Sequence, residues 1–564
     1  MPYTYKKAEI PHDWLAAPSL MGVEPLALEI LAARGIKTVQ EAKEVLFPAF
    51  KAVVENTDIK DMDKVVEKLE QAINEKLPIT VYQDYDVDGC MACAVMVENL
   101  RRFGAIVHFY GNDRFVDGYG MCPHGVDSLM KRFPDTKIIL TVDNGIVAFD
   151  GIQRANELGL TVLVTDHHEP GEALPPAYAV VDPKRKDESY PFHDLCGTGL
   201  ALKVMIALSK KMKRDLNLVT QSADMAALAT VADVVPMVGK NRAIVKYGLS
   251  LINDGVRPAF RVLNSVKKIS HVTAHETLAF TYAPMINAVS RMGKDTSRIV
   301  RMFLSDNISK LEEDVLWLDD INEMRKEETK QEMEYAEEII QKNGFNKDHP
   351  PASIVVFHPS FQEGIVGIVA GKIKAVYNCP TVVFSPAEHG MIKASARSTP
   401  GLDIKQAFDT MADIMVNYGG HAMAAGITIM EKDYDEFCER FDKIVKSDMD
   451  VTKNAVTTPI DVVVQAKDLK ENTVRDLSVL EPYGEDFPEP MIGLIANVDS
   501  VRYMGTDQQH VKYTDSTADV SIITWNGAES AKKRSSFPKK FVGHVSLNEF
   551  HGHVSVQMIT DSGD

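Results

Sequence analysis

The chain is poor in cysteine, with 6 in 564 residues. Cys90, Cys93, Cys122, Cys196, Cys379 and Cys438 form no paired spacing, which excludes a disulfide scaffold and fits a reducing compartment. Cys90-x-x-Cys93 has no second Cys/His pair at zinc-site spacing. No apolar run approaches the ~20 residues that a membrane helix needs. The opening MPYTYKKAEIPHDWL lacks the apolar stretch and cleavage site of a secretory signal, so a cytoplasmic protein without a membrane partner is expected. Positive charge is also in deficit: Lys and Arg number 62 against 80 Asp and Glu, a net charge of −18. That balance argues against coating nucleic acid through an overall field and leaves a local cationic groove open. A Walker loop, a G-x-S-x-G elbow and a Cys/His nucleophile pair are all missing, so covalent catalysis has no anchor.

What is present reads as a several-domain globular chain, at 45% hydrophobic and 25% charged residues. PLALEILAARGIKTVQEAKEVLFPAF predicts two short helices broken at Gly35, within a helical preface over 1–64. From Lys64, amphipathic segments alternate with short β-branched runs (PITVYQ, AIVHFY, KIILTVD, TVLVTD), which predicts an α/β domain on a parallel sheet over 65–300. The charged stretch LEEDVLWLDDINEMRKEETKQEMEYAEEIIQK predicts a long linking helix within 301–348. A second α/β unit follows over 349–450, and 451–564 carries several short alternating strands, as in a small β-barrel of OB-fold length.

Three strands of the first domain end in acids: Asp84-Tyr-Asp86-Val-Asp88-Gly89, Asp143-Asn144-Gly145 and Asp166-His167-His168-Glu169. In open parallel sheets the functional crevice lies at the carboxyl ends of strands, so these tips can converge. A fourth acid, Asp233, lies in the apolar run LATVADVVPM, where an unpartnered carboxylate is costly. Converging carboxylates repel unless a cation sits between them, and oxygen-rich sites with an imidazole suit Mn²⁺ or Mg²⁺; two divalent ions are the natural answer. Taken singly, Asp-Gly and Asp-Asn-Gly are also ordinary turns and His-His an ordinary surface pair.

DYDVDG, VDNG, TDHHEP and ATVADVVPM resemble the four motifs of the DHH phosphoesterase superfamily, and EGIVGIVAGKI, IKASARS and YGGHAMAAG resemble its DHHA1 substrate domain. With LAARGIKT, NDRFVDGYG, LCGTGLALK, MINAVSRMG and the terminal barrel, nearly the whole chain is similar to the RecJ family of single-strand-specific exonucleases. The resemblance implies a two-metal phosphodiesterase that removes nucleotides from the 5′ end of single-stranded DNA in repair or recombination. Asp84, Asp86, Asp88, Asp143, His167 and Asp233 would hold the ions, with Asp143 bridging them, and His168 would act on the scissile phosphate. Tyr82 stands where some members have a metal-binding histidine, Ser290 where glycine is usual and Asp182 where asparagine is usual.

By the same resemblance, Arg114, Arg397 and Ser398 would hold a terminal 5′ phosphate, with Arg291 and Lys393 as further cations. Tyr119 reads as a base-stacking platform or as a packed ring. Gly419-Gly420-His421 reads as a close approach to nucleotide, with His421 on phosphate or base, or as a turn with a packed imidazole. Lys532, Lys533, Arg534, Lys539 and Lys540 form a basic stretch beside the terminal strands. Expected partners are single-stranded DNA and a single-strand-binding protein or helicase. Two alternatives stand beside this reading: a relative acting on short oligonucleotides or cyclic dinucleotides, which needs no barrel, and a non-catalytic DNA-binding scaffold, which needs no intact acids.

Overall fold

The computed structural model describes residues 3–347, 349–449, 458–533, 536–550 and 552–563; Arg534 and the expected boundary at 450/451 lie outside the described residues. Two short N-terminal helices, α1 (Pro25–Ala33) and α2 (Val39–Leu46), flank Gly35, whose φ of 83° supplies the left-handed turn between them. Then α3 (Met62–Glu75), β1 (Ile79–Gln83), α4 (Val87–Arg102), β2 (Val107–Gly111), α5 (Pro123–Arg132), β3 (Ile138–Val142), α6 (Phe149–Glu157), β4 (Thr161–Thr165) and β5 (Ala179–Val181) alternate. The sheet is parallel throughout, in the order β2-β1-β3-β4-β5. Strands β1 and β3 are buried at every residue, which is why ITVYQ and IILTV run almost wholly apolar or β-branched. The strand order reverses between β1 and β3, and such a reversal opens a crevice beyond the carboxyl ends of the two strands.

The helices α7 (Gly197–Lys211), α8 (Ala223–Ala232), α9 (Gly239–Asn253) and α10 (Ala283–Arg291) complete this domain. The 35-residue α11 (Ile308–Lys342) leaves it. Leu311, Val315 and Leu318 of α11 lie in the first core, whereas Ala336 and Ile340 lie in the second, so one apolar stripe serves two domains. The second domain holds β6 (Ile354–Phe357), α12 (Val366–Tyr377), β7 (Thr381–Pro386), β8 (Met391–Arg397), β9 (Met415–His421) and β10 (Ala424–Met430). Its sheet order is β9-β10-β8-β7-β6, with only β6 and β7 parallel.

The C-terminal sheet runs β11-β12-β16-β17-β15-β14-β13, from β11 (Val462–Gln465), β12 (Ile492–Ile495), β13 (Ser500–Met504), β14 (His510–Asp515), β15 (Val520–Thr524), β16 (Lys540–Phe550) and β17 (His553–Gly563). The N-terminal preface does not stand apart from it. Leu28, Ile30 and Leu31 of α1 share one core with Leu469, Leu477 and Leu480. Two arginines fasten this joint. Arg34 forms a forked pair with Asp461 at 2.9 and 3.0 Å, and Arg242 of α9, 1% exposed, donates to the carbonyls of Val45, Leu480 and Pro482 at 2.6 Å each. Among the described residues no helix is long and apolar enough to cross a membrane.

Candidate active site

The acids of the first motif follow β1 directly. Asp86 is the N-cap of α4, accepting from the Gly89 N–H at 3.0 Å. Asp88, in the first turn of the helix, accepts from the N–H groups of Gly197 and Thr198 at 2.5 and 2.8 Å and from the Thr198 hydroxyl at 2.6 Å. The start of α7 therefore aims Asp88. Asp143, just past β3, sits in the left-handed region at φ 60°, and a Cβ on Gly197 would lie 2.7 Å from its own Cβ. Only glycine permits that approach. Asp233 caps the C-terminal end of α8, where the helix dipole opposes a negative charge.

These residues converge. Nε2 of His167 lies 3.1 Å from Asp143 Oδ1 and 3.6 Å from both Asp88 Oδ2 and Asp233 Oδ2. Three sets of donor atoms lie within 4.8 Å of one another: Asp84, Asp86 and Asp143; Asp88, His167 and Asp233; and Asp143, His167 and His168. Asp143 and His167 each belong to two of them. Asp166 has a different task. Its Oδ1 accepts from the His167 N–H at 2.8 Å and pairs with His168 Nδ1 at 2.7 Å, while Oδ2 accepts from the Ile146 N–H at 2.9 Å. It fixes the His168 ring and the His167 backbone. The Tyr119 hydroxyl lies 2.9 Å from the same His168 nitrogen, so Tyr119 braces that ring at the mouth of the site.

The electrostatics are those of a site short of positive charge. Burial and then mutual repulsion push Asp84, Asp143 and Asp233 well above the usual carboxylate range, and Asp86 is raised for the same reasons. Burial pulls His167 down, which favours the neutral imidazole that metal coordination requires. Asp84 Oδ1 is buried with no hydrogen-bond partner among the described residues. Oxygen-rich donors with an imidazole, an unpartnered carboxylate oxygen and uncompensated negative charge fit divalent Mn²⁺ or Mg²⁺. Tyr82 takes no part: its ring packs with Met121, Val126 and Ile152 in a separate apolar cluster.

A cavity of about 460 Å³ beside this cluster is lined by Arg114, Tyr119, Glu363, Lys393, Ser395, Tyr418 and Gly419, joining the first domain to the second. Arg114 lies over the Tyr85 ring at 5.1 Å. Arg397 Nη1 donates to Ser395 Oγ at 2.8 Å, and Arg291 Nη1 to the Gly364 carbonyl at 3.2 Å. The expectation for Ser398 is corrected: it is 1% exposed and its hydroxyl donates to the Leu402 carbonyl at 2.8 Å, leaving nothing for a phosphate. Ser395, by contrast, lines the cavity with its hydroxyl against Arg397. The signal was in the strand period, because residues two apart on β8 share a face and put Lys393, Ser395 and Arg397 together. Gly420, expected as a close approach to nucleotide or as a turn, is a paired strand residue opposite Ala425, where a Cβ would lie 2.4 Å from the Ala424 carbonyl oxygen. His421 is exposed at the end of β9 and joins none of the three donor sets.

The chain matches the DHH family, N-terminal domain, over residues 78–230, the DHHA1 domain over 351–447 and the RecJ OB domain over 460–562. It is 31% identical to the single-stranded-DNA-specific exonuclease RecJ of Salmonella typhimurium, covering 98% of this chain and 96% of that protein, and 31% identical to that of Escherichia coli, covering 95% of each. Among solved structures, RecJ of Thermus thermophilus in complex with Mn²⁺ superposes with a TM-score of 0.83 at 25% identity, covering 100% of this chain and 79% of that one. With all three domains matched in order and the identity extending over nearly the full length of these relatives, the chain belongs to the RecJ family of single-stranded-DNA-specific exonucleases.

Proposed function

We propose that this chain is a single-stranded-DNA-specific exonuclease that hydrolyses phosphodiester bonds from the 5′ end with two divalent ions, Mn²⁺ or Mg²⁺. The observation that carries the reading is the pair of donor sets, Asp84/Asp86/Asp143 and Asp88/His167/Asp233, set side by side at the strand-order reversal with Asp143 against both. Two ions held there would supply Lewis acidity, lowering the pKa of a water and neutralising charge on the phosphate under attack.

The chain's own residues do the rest. Asp166 and Tyr119 hold the His168 ring in one orientation, so that a phosphate oxygen at the mouth of the site meets a fixed ring rather than a rotating one. Arg114 and Arg397, with Ser395, offer guanidinium and hydroxyl donors to a terminal phosphate, which carries more charge than an internal diester. A 5′ end bound in that cavity presents its first diester towards the acids. The C-terminal sheet adds exposed Lys533, Lys539 and Lys540 for the trailing strand. A single-strand-binding protein or helicase is the partner class such an enzyme would work beside, in the cytoplasm.

Digestion of single strands labelled at the 5′ or the 3′ end, with Mn²⁺, Mg²⁺ or chelator, tests the reading. Release of 5′-terminal products with either metal and none with chelator is expected. Degradation that begins equally at 3′ ends, or that persists in chelator, would overturn it.

A further inference from the structure

A second cavity, of about 310 Å³, lies wholly within the first domain and shares only Arg114 with the cavity between the domains. Its walls come from three places. Tyr85 follows β1 and stands between the acids Asp84 and Asp86; Asn112 and Phe115 follow β2, the edge strand of the sheet; Ser290, in the last turn of α10, is joined by Lys294 and Thr296 just beyond that helix. The region past the carboxyl ends of parallel strands is where open sheets take their ligands.

The lining has more hydrogen-bonding capacity than the protein uses. Asn112, 4% exposed, donates through Nδ2 to the carbonyls of Gly118 and Gly120 at 2.8 and 3.3 Å, while its Oδ1 is buried with no partner among the described residues. Thr296 Oγ1 accepts from Gln83 Nε2 at 3.3 Å and keeps a proton to donate. The Ser290 hydroxyl reaches the Asn287 carbonyl only at 3.3 Å, longer than a well-made O–H···O bond.

Charge follows the same pattern. The two acids in the lining are engaged by their own turns: Asp113 Oδ1 accepts from the N–H groups of Phe115 and Val116 at 2.8 and 3.2 Å, and Asp295 from the Ser297 N–H and hydroxyl at 2.9 and 2.6 Å and from Arg301 at 3.2 Å. The two cations are not. Among the described residues neither Lys294, which is exposed, nor Arg114, which lies over the Tyr85 ring at 5.1 Å, forms an ion pair. Phe115 is 41% exposed, and a Cβ on Gly293 would lie 3.5 Å from its ring, so glycine lets the ring settle against that backbone. A half-exposed aromatic ring, an orphaned amide oxygen, hydroxyl donors and unpaired cations match the flat base, the base-edge polar groups and the phosphate of a nucleotide.

We propose that this cavity is a holding site for a released nucleoside 5′-monophosphate, with its base on Phe115 beside Asn112 and Thr296 and its phosphate on Lys294. This rests on the reading of the chain as an exonuclease that yields mononucleotides. Tyr85 joins the cavity to the acids, and Arg114 joins it to the cavity between the domains, so product passes from one to the other without leaving the protein. An occupant draws on Arg114, and product therefore competes with an incoming strand from a place the strand does not fill.

The test uses the full chain. Calorimetric titration with dAMP and with deoxyadenosine, in chelator so that no ion takes part, compares wild type with Phe115→Ala, Phe115→Leu, Lys294→Gln and Ser395→Ala. Wild type is expected to bind dAMP and, more weakly, deoxyadenosine. Phe115→Ala should weaken both by roughly ten-fold, within the worth of a stacked base. Lys294→Gln should weaken dAMP by a few-fold and leave deoxyadenosine alone, and Ser395→Ala, which alters the other cavity, should leave both alone. With Mn²⁺ and short single strands, added dAMP should raise the KM of wild type, and Phe115→Ala should need roughly ten-fold more dAMP for the same rise while its kcat and KM without added nucleotide stay within about two-fold. Wild type that binds neither compound in chelator would overturn the proposal. So would Phe115→Ala that binds like wild type, or loss of binding through Ser395→Ala, which would put the nucleotide between the domains. Degradation that begins at 3′ ends would overturn the parent reading and leave these binding results standing, so the two failures are distinguishable. Thermal melting confirms that each variant is folded, and if Phe115→Ala is not, Phe115→Leu, which keeps the bulk and loses the flat face, carries the comparison.

Discussion

The same two helices, α4 and α8, carry buried carboxylates at both ends, and the two ends meet opposite fates. At one end, Glu98 of α4 and Asp224 of α8 share Arg257, which donates to Asp224 at 2.7 and 3.2 Å, to Glu98 at 3.0 and 3.1 Å and to the Phe303 carbonyl at 3.0 Å. At the other end, Asp86 and Asp88 of α4 and Asp233 after α8 face Asp143 and His167, and among the described residues none of these acids forms an ion pair with an arginine or lysine. Arg257 holds Glu98 below its ordinary value against the pull of burial, although burial still leaves Asp224 raised, whereas at the other end Asp86, Asp143 and Asp233 are all driven up by burial and by one another. The chain supplies its own counter-charge where a bundle must hold together and withholds it where an ion must come from solution. An unsatisfied buried charge therefore marks the function, and a satisfied one the scaffold.

Substitutions at the two ends should separate cleanly. The largest effect is expected from Asp143→Asn, which keeps a residue tolerant of the left-handed backbone and removes the carboxylate proposed to be shared by the two ions. Single-strand hydrolysis should fall by roughly 10³-fold, the several kcal/mol that metal charge stabilisation provides. Because one repelling charge is gone, its melting temperature in chelator should equal or exceed that of wild type; a lower one would break the contrast.

Next is Arg257→Met, which strands two buried carboxylates and should cost about 3–5 kcal/mol in urea unfolding. Turnover per folded molecule should be unchanged, as read from active-site titration against kcat.

A lone buried acid on α11 gives a milder version. Burial raises Glu332 to about 7 from an ordinary 4.5, while the Gln362 N–H donates to it at 2.8 Å. Between those values the folded state holds more protons than the unfolded one, so its contribution to stability falls as pH rises from about 4.5 through 7. Glu332→Gln should remove that slope, seen by comparing unfolding of variant and wild type at the two ends of the window. The smallest effects concern two serines: Ser395→Ala should raise KM for 5′-phosphorylated strands by a few-fold, about 1 kcal/mol, while Ser398→Ala should lower stability by a similar amount and leave KM alone.

Much of this was legible before the fold. The parallel sheet followed from short β-branched runs between amphipathic helices, and the acids at the ends of β1, β3 and β4 followed from where those runs stop. The linking helix was expected within 301–348 and spans Ile308–Lys342. Less legible was which acid does what: Asp166 reads like Asp143, and only the Asp166–His168 contact at 2.7 Å distinguishes orienter from ligand. Ser398 was named by resemblance, whereas the period of β8 puts Ser395 on the face that Arg397 shares.

By itself, then, the sequence determined the order of domains, the chemical type of the metal donors and the strand ends that carry them, because hydrophobic period and turn chemistry act over a few residues. Tertiary structure alone decided what distant residues meet. It placed Gly197 and Thr198 beneath Asp88, packed α1 against Leu477 and Leu480 and buried Arg242 between three parts of the chain. Those pairings depend on how helices and sheets pack across hundreds of residues, and no local pattern encodes the side chain that will stand opposite.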